Sequence, residues 1–328
     1  MHQDARGSNV KRWLLRAASL AVLALVIWFV RRSLIDAWKQ VDEHPWQLNL
    51  WWLAVAGACY LSALLPSGIF WYRVLRALGQ DARWFETLRA YYIGHVGKYV
   101  PGKAMVVVLR AALLRSHRVD TGIAAATVFL ETLTWMTVGS FLAAAYLAVR
   151  LGQQHVYLFG AIGLMLAAGL PTYPPVFIRL ARWAGVGRSN PVTLERLGRL
   201  NARTMAWGWM LMIVGWALMG LTFWATLRAV GAPMGNLLGD LPLCTASAAL
   251  ATVAGFVAVF TPAGLGVREA ALAFLMTPYL AQLTPDPELV AWIGAALLRL
   301  VNVMSEAAIS GILYLAYLGQ RKAPPAST

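Results

Sequence analysis

Residues 205–230 read MAWGWMLMIVGWALMGLTFWATLRAV, and Arg228 is the only charge among them. A hydrocarbon core of about 30 Å is crossed by a helix of roughly 20 apolar residues, so this run is long enough to span a bilayer. The same reading repeats outward from it. Apolar stretches cover residues 13–30, 46–70, 121–149 and 156–171 on one side, and 241–260, 265–280 and 288–318 on the other. The 328-residue chain is 59% apolar and 13% charged, with a mean hydropathy of +0.61. Soluble domains run at about 45–50% apolar and about 25% charged. That balance excludes a disordered chain and argues against a water-soluble enzyme. The expected fold is all-α: a polytopic membrane bundle of about eight transmembrane helices with short interfacial or re-entrant helices between them.

The charge distribution sets the next expectations. Lys and Arg number 28 against 14 Asp and Glu, a net charge of +14. Nucleic acid is not the expected partner, because the basic residues are divided among loops beside apolar spans; phospholipid or another anionic lipid is. With the N-terminus placed inside, twenty-two basic residues fall on inner segments and five on outer ones. This asymmetry orients polytopic proteins, and it predicts both termini in the cytoplasm. A signal peptide is the rival reading of residues 13–30, but the run ends in Trp28-Phe29-Val30-Arg31-Arg32 with no small-residue cleavage site, which favours a retained anchor. The 15 Trp, some clustered as at Trp51-Trp52, fit rings lying at membrane–water interfaces. Cys59 and Cys244 lie in apolar runs, and the histidines at 2, 44, 95, 117 and 155 are scattered without i,i+4 pairing. Neither a metal nor any other cofactor is expected.

Two segments break the helical pattern. Residues 87–99 and 105–114 read as two short helices interrupted at Val100-Pro101-Gly102-Lys103. The run from Gly97 to Lys103 formally fits the front of a phosphate-binding loop, G-x-x-x-x-G-K. That motif should follow a strand and supply Ser or Thr next, whereas here Ala104 follows and Pro101 removes an amide. The functional reading is a helix break at which Lys98 and Lys103 seat a phosphate against free amides; the plain one is that both lysines anchor the segment to anionic lipid. The second break is Thr261-Pro262-Ala263-Gly264-Leu265-Gly266-Val267-Arg268-Glu269. Irregular backbone at membrane depth is tolerated where protein or a wet cavity satisfies it. The cation and anion that enter the next apolar helix mark a site or a pair. Alternatively, Pro262, Gly264 and Gly266 form a tight cytoplasmic turn and Arg268 reaches lipid phosphate.

Further charges sit within apolar runs: Glu131, Arg299 and Glu306. Arg299 and Glu306 are seven residues apart, hence on one helix face about two turns (roughly 10 Å) apart. That spacing suits the lining of one cavity together with Asn302 and Ser305. Arg268, Glu269, Glu131, Arg299 and Glu306 are therefore read as a charged pocket in the bundle, or as ion pairs locking helices together, or as both. No nucleophile elbow or Cys/His pair marks covalent catalysis, and Gly208, Gly215 and Gly220 are read as close helix contacts.

At its two broken segments the chain resembles the membrane region of the lysylphosphatidylglycerol synthase family, also called flippase-like integral membrane proteins. The matching pieces are residues 97–103 with Leu109-Arg110-Ala111-Ala112-Leu113-Leu114-Arg115, and residues 261–269; Ala263 stands where many relatives carry glycine. The resemblance implies a lipid-handling bundle. In the full-length synthases this region is thought to translocate aminoacylated phospholipid while a separate soluble domain attaches the amino acid. No such domain follows residue 320 here, so aminoacyl transfer by this chain alone is not expected. The expected organisation is a cytoplasmic segment over residues 1–12, one transmembrane lipid-handling domain over 13–320 with cytoplasmic basic segments at 71–120 and 173–203, and a disordered tail at 321–328. The expected function is translocation or binding of an anionic or zwitterionic phospholipid or an isoprenoid lipid in the inner (plasma) membrane. Its head group would be held by Arg268, Glu269, Arg299, Glu306, Glu131, Lys98 and Lys103. Two alternatives stand beside it: a membrane-embedded transferase acting on a lipid-linked sugar, and an accessory subunit of a separately encoded lipid-modifying enzyme.

Overall fold

The computed structural model of the chain describes residues 48–99, 104–114, 119–151, 159, 163, 169–183, 185–186, 191–258 and 264–322. It is all-α. Among the described residues ten helices succeed one another: α1 Leu50–Ala77, α2 Trp84–His95, α3 Ala104–Leu113, α4 Thr121–Leu151, α5 Pro174–Trp183, α6 Pro191–Leu197, α7 Ala202–Ala229, α8 Leu237–Val257, α9 Val267–Leu280 and α10 Pro287–Lys322. Short 3₁₀ turns at Val96–Tyr99 and Leu170–Thr172 join them, and the described residues contain no β-strand element.

Five of these helices, α1, α4, α7, α8 and α10, are long and apolar enough to cross a membrane. The expected count of about eight is not reached among the described residues, for three different reasons. Residues 13–30 lie outside them, as does most of 156–171. The run at 265–280 forms α9, whose 14 residues rise about 21 Å and fall short of a hydrocarbon core of about 30 Å. The second expected span also moves, from 46–70 to Leu50–Ala77. The Asn49 side chain accepts from the backbone N–H groups of Trp51 and Trp52 and so caps the helix there. At the other end the helix continues through Arg73 and Arg76, taking in the start of the segment read as a basic loop. The two short helices expected around residues 100–103 are present as α2 and α3.

Aromatic residues divide between surface and core. Trp51 and Trp183 are exposed, as an interfacial role requires, but Trp71 and Trp216 are fully buried. Trp216 stacks on Trp135 at 4.3 Å and donates its indole N–H to the Trp135 carbonyl at 2.9 Å, tying α7 to α4. Trp71 donates to Thr127 Oγ1 at 3.0 Å, tying α1 to α4. Each indole buries a large apolar body while its one polar group is satisfied. The glycines at 208, 215 and 220 face Phe70, Trp135 and Thr245, the close helix contacts expected of them. This frame of α1, α4, α7 and α8 holds α2, α3, α9 and α10 around a polar interior.

Candidate functional site

The site begins with the α2–α3 hairpin. An added Cβ at Gly97 would lie 2.7 Å from the Val106 amide nitrogen and 2.9 Å from the Met105 carbonyl carbon. Only a residue without a side chain lets the 3₁₀ turn lie this close to α3. No strand precedes this turn, since Val96–Tyr99 continues directly from helix α2, and the phosphate-binding-loop reading of residues 97–103 falls with that. Pro101, Gly102 and Lys103 themselves lie outside the described residues, as does Pro262.

Three ion pairs follow. Arg110 on α3 donates through Nη1 to Glu131 Oε2 on α4 at 2.8 Å, and its guanidinium lies 3.9 Å from the centre of the Tyr91 ring. Both charged side chains are almost wholly buried. Lys98 pairs with Glu306 on α10, which also accepts from the Tyr60 hydroxyl. Arg299 on α10 donates to Glu269 Oε1 on α9 at 2.6 Å. His95 joins the first two pairs: its ring nitrogens lie 3.1 Å from Arg110 Nη2 and 3.3 Å from Lys98 Nζ. A neutral imidazole has one lone pair to offer, so it accepts from one of these cations.

The second helix break is built around Gly264 and Gly266, which have φ of +70° and +79°. An added Cβ at Gly264 would lie 2.6 Å from Gly255 Cα, so the turn presses directly on α8. Glu269 Oε2 accepts the Gly266 N–H at 2.7 Å, while its other oxygen holds Arg299. The carboxylate thus caps α9 as well as pairing with Arg299.

Arg268 is different. No ion pair engages it among the described residues, and its Nη2 is buried without a hydrogen-bond partner in the protein. Counted together, Lys98, Arg110, Arg268 and Arg299 face Glu131, Glu269 and Glu306, four cations to three carboxylates. The remaining buried side-chain atoms without a partner are Arg110 Nε, Thr252 Oγ1, both polar atoms of Asn302, and Glu306 Oε2. Among the described residues, all such atoms gather in this one region. An orphaned buried polar group costs about 1–3 kcal/mol, and native interiors hold few of them.

Two cavities adjoin the charges. The larger, about 290 Å³, is bounded at its polar end by Tyr91, His95, Arg110 and Glu131, and along its apolar side by Val106, Val107, Phe129, Leu133 and Met136. Phe129 is also 56% exposed, so this cavity reaches the outer surface beside α4. The smaller, about 10 Å³ or roughly the space of one water, is lined by Lys98, Arg268, Glu269, Arg299 and Asn302 among others. Lys98 and Arg268 line both.

Of the residues singled out by sequence, Lys98, Glu131, Arg268, Glu269, Arg299 and Glu306 come together here. Their partnership differs from the expected one. Arg299 and Asn302 do line one cavity, but Glu306 turns to Lys98 and Tyr60, and Ser305 faces Gly57 on α1. Arg110, Tyr60 and His95 were overlooked. Arg110 falls within the basic segment expected at 71–120, yet it is 1% exposed. It lies in the apolar run 104–114, so the criterion that picked out Glu131 applies to it equally. The described residues hold no cluster of His, Cys, Asp or Glu able to bind a metal ion.

A sequence model of the family described as "Lysylphosphatidylglycerol synthase TM region" matches residues 16–313. No curated protein matches the chain.

Proposed function

The chain belongs to the lysylphosphatidylglycerol synthase transmembrane-region family and is a multi-pass membrane protein, and from that membership we propose that it translocates a lipid. The observation that carries this reading is the gathering of unpartnered buried polar atoms beside a cavity with an apolar side reaching the surface. Such a space is amphipathic in the same sense as a lipid. A polar head enters among Lys98, Arg110, Arg268 and Asn302, while the chains lie along Val106, Phe129, Leu133 and Met136 and remain continuous with the bilayer.

The three carboxylates serve the empty site. A lone buried cation is costly, and Glu131, Glu269 and Glu306 offset that cost until a head group arrives. Head-group oxygens then replace part of those contacts, so the charges need not be carried through bare hydrocarbon. An anionic or zwitterionic phospholipid, or an isoprenoid lipid with a phosphate head, fits this pattern. The proposed setting is the inner (plasma) membrane with both termini cytoplasmic, after the distribution of basic residues.

Reconstitution in vesicles with short-chain fluorescent lipids tests the proposal. Movement between leaflets should exceed that of protein-free vesicles and should fall in Glu131→Gln. If no head group tried moves faster than in empty vesicles, translocation is refuted. Co-purification of a soluble transferase would then favour an accessory role.

A further inference from the structure

The charge balance of the site goes further than its shape. We infer that the seat selects a lipid whose phosphate carries an unneutralised negative charge, and rejects a lipid with a cationic head. This rests on the lipid-handling reading above and narrows it to a substrate class. Three of the four cations already have a carboxylate at hydrogen-bonding distance. The fourth, Arg268, has none among the described residues and keeps a buried Nη2 unpartnered. One unmatched positive charge is complemented by one net negative charge on the ligand. A head group of net charge +1 would instead bring like charge against Arg268 at a depth where screening is weak.

The position of Arg268 locates the phosphate. Together with Lys98 it forms the wall common to both cavities. On the small side stands Asn302, 3% exposed and with both polar atoms unpartnered, so its amide is free to donate to an oxygen that enters. On the large side stands Thr252, whose hydroxyl is likewise unpartnered. A phosphate at this junction places one oxygen toward Asn302 and another toward Thr252, with the guanidinium of Arg268 between them. Planar guanidinium donors suit such oxygens geometrically. The large cavity then takes the rest of the head and the beginning of the chains.

The test is binding rather than movement. The full chain is placed in phosphatidylcholine nanodiscs containing, in separate preparations, phosphatidylglycerol, lysyl-phosphatidylglycerol or a monoglucosyl diacylglycerol. Retained lipid is read by native mass spectrometry after gentle extraction, with inorganic phosphate added at millimolar concentration in a parallel arm. Phosphatidylglycerol should be retained about tenfold over the other two, a modest share of what one partly screened charge contact supplies. Arg268→Gln should abolish that preference and Arg268→Lys should keep most of it, both folding normally because Arg268 holds no ion pair among the described residues that the substitution would break. Equal or greater retention of lysyl-phosphatidylglycerol overturns the inference, as does a preference that survives Arg268→Gln. Displacement by inorganic phosphate alone overturns it too, by showing a seat for free phosphate. Selective retention without movement between leaflets would refute translocation and leave this seat standing; movement without selectivity would do the reverse.

Discussion

Glu306 shows how tightly the interior is balanced. It lies 1% exposed on α10, holds Lys98, accepts from Tyr60, and still has one oxygen without a partner. Replacing it with Gln leaves the Lys98 ammonium uncompensated, and breaking one side of a buried pair costs about 3–5 kcal/mol. Glu306→Gln should therefore lower the thermal midpoint in detergent well below that of the parent chain. Replacing both partners with apolar groups of similar volume is often neutral, so Lys98→Met with Glu306→Leu should recover most of that stability while lipid retention stays lost. A double variant as unstable as Glu306→Gln would show that the pair is not the cause. At this scale much was legible in the sequence, since an ionisable residue inside an apolar run stands out against its surroundings. Partners were not: Glu306 and Lys98 are 208 positions apart, and no helical spacing connects them. Arg110 escaped because it falls within the basic segment at 71–120, where a cation reads as solvated.

Among the elements, the α2–α3 hairpin depends on Gly97 and α9 on Gly264. Gly97→Ala would drive a methyl group into the backbone of Val106, which cannot yield as a side chain tip does. Overpacking of this kind costs about 1–3 kcal/mol, and it moves α3, the helix that carries Arg110. Both the thermal midpoint and lipid movement should fall. Gly311 in α10 is the control, because an added Cβ there meets nothing within 4 Å. Gly311→Ala should raise stability by roughly 0.5–1 kcal/mol, the usual gain for Ala over Gly in a helix interior. The breaks that create these elements were legible from Pro and Gly in apolar surroundings. Their lengths were less so. Apolar composition runs on through turns, which is why residues 265–280 looked like a span, and Asn49 sets the start of α1 through a cap that hydropathy does not register.

For the molecule as a whole, the large cavity reaches the surface beside Phe129, whose ring borders it there, and the proposed translocation would admit lipid at this mouth. Phe129→Trp should narrow that mouth and slow the movement of two-chain lipids several-fold in reconstituted vesicles. The thermal midpoint should be nearly unchanged, since substitutions at exposed positions usually stay within about 0.5 kcal/mol. An undiminished rate would place the entrance elsewhere. The short length of α9 has a further effect. With its Leu280 end at one boundary of the hydrocarbon, a helix of about 21 Å leaves Arg268 and Glu269 roughly 12–14 Å inside the other. A stretch shorter than its membrane is accommodated by local thinning. Bilayer thickness should then act as a throttle: shorter-chain host lipids bring aqueous solution nearer the head-group seat and speed exchange, while long-chain ones seal it. Host composition alone, with no change to the protein, would tune its rate.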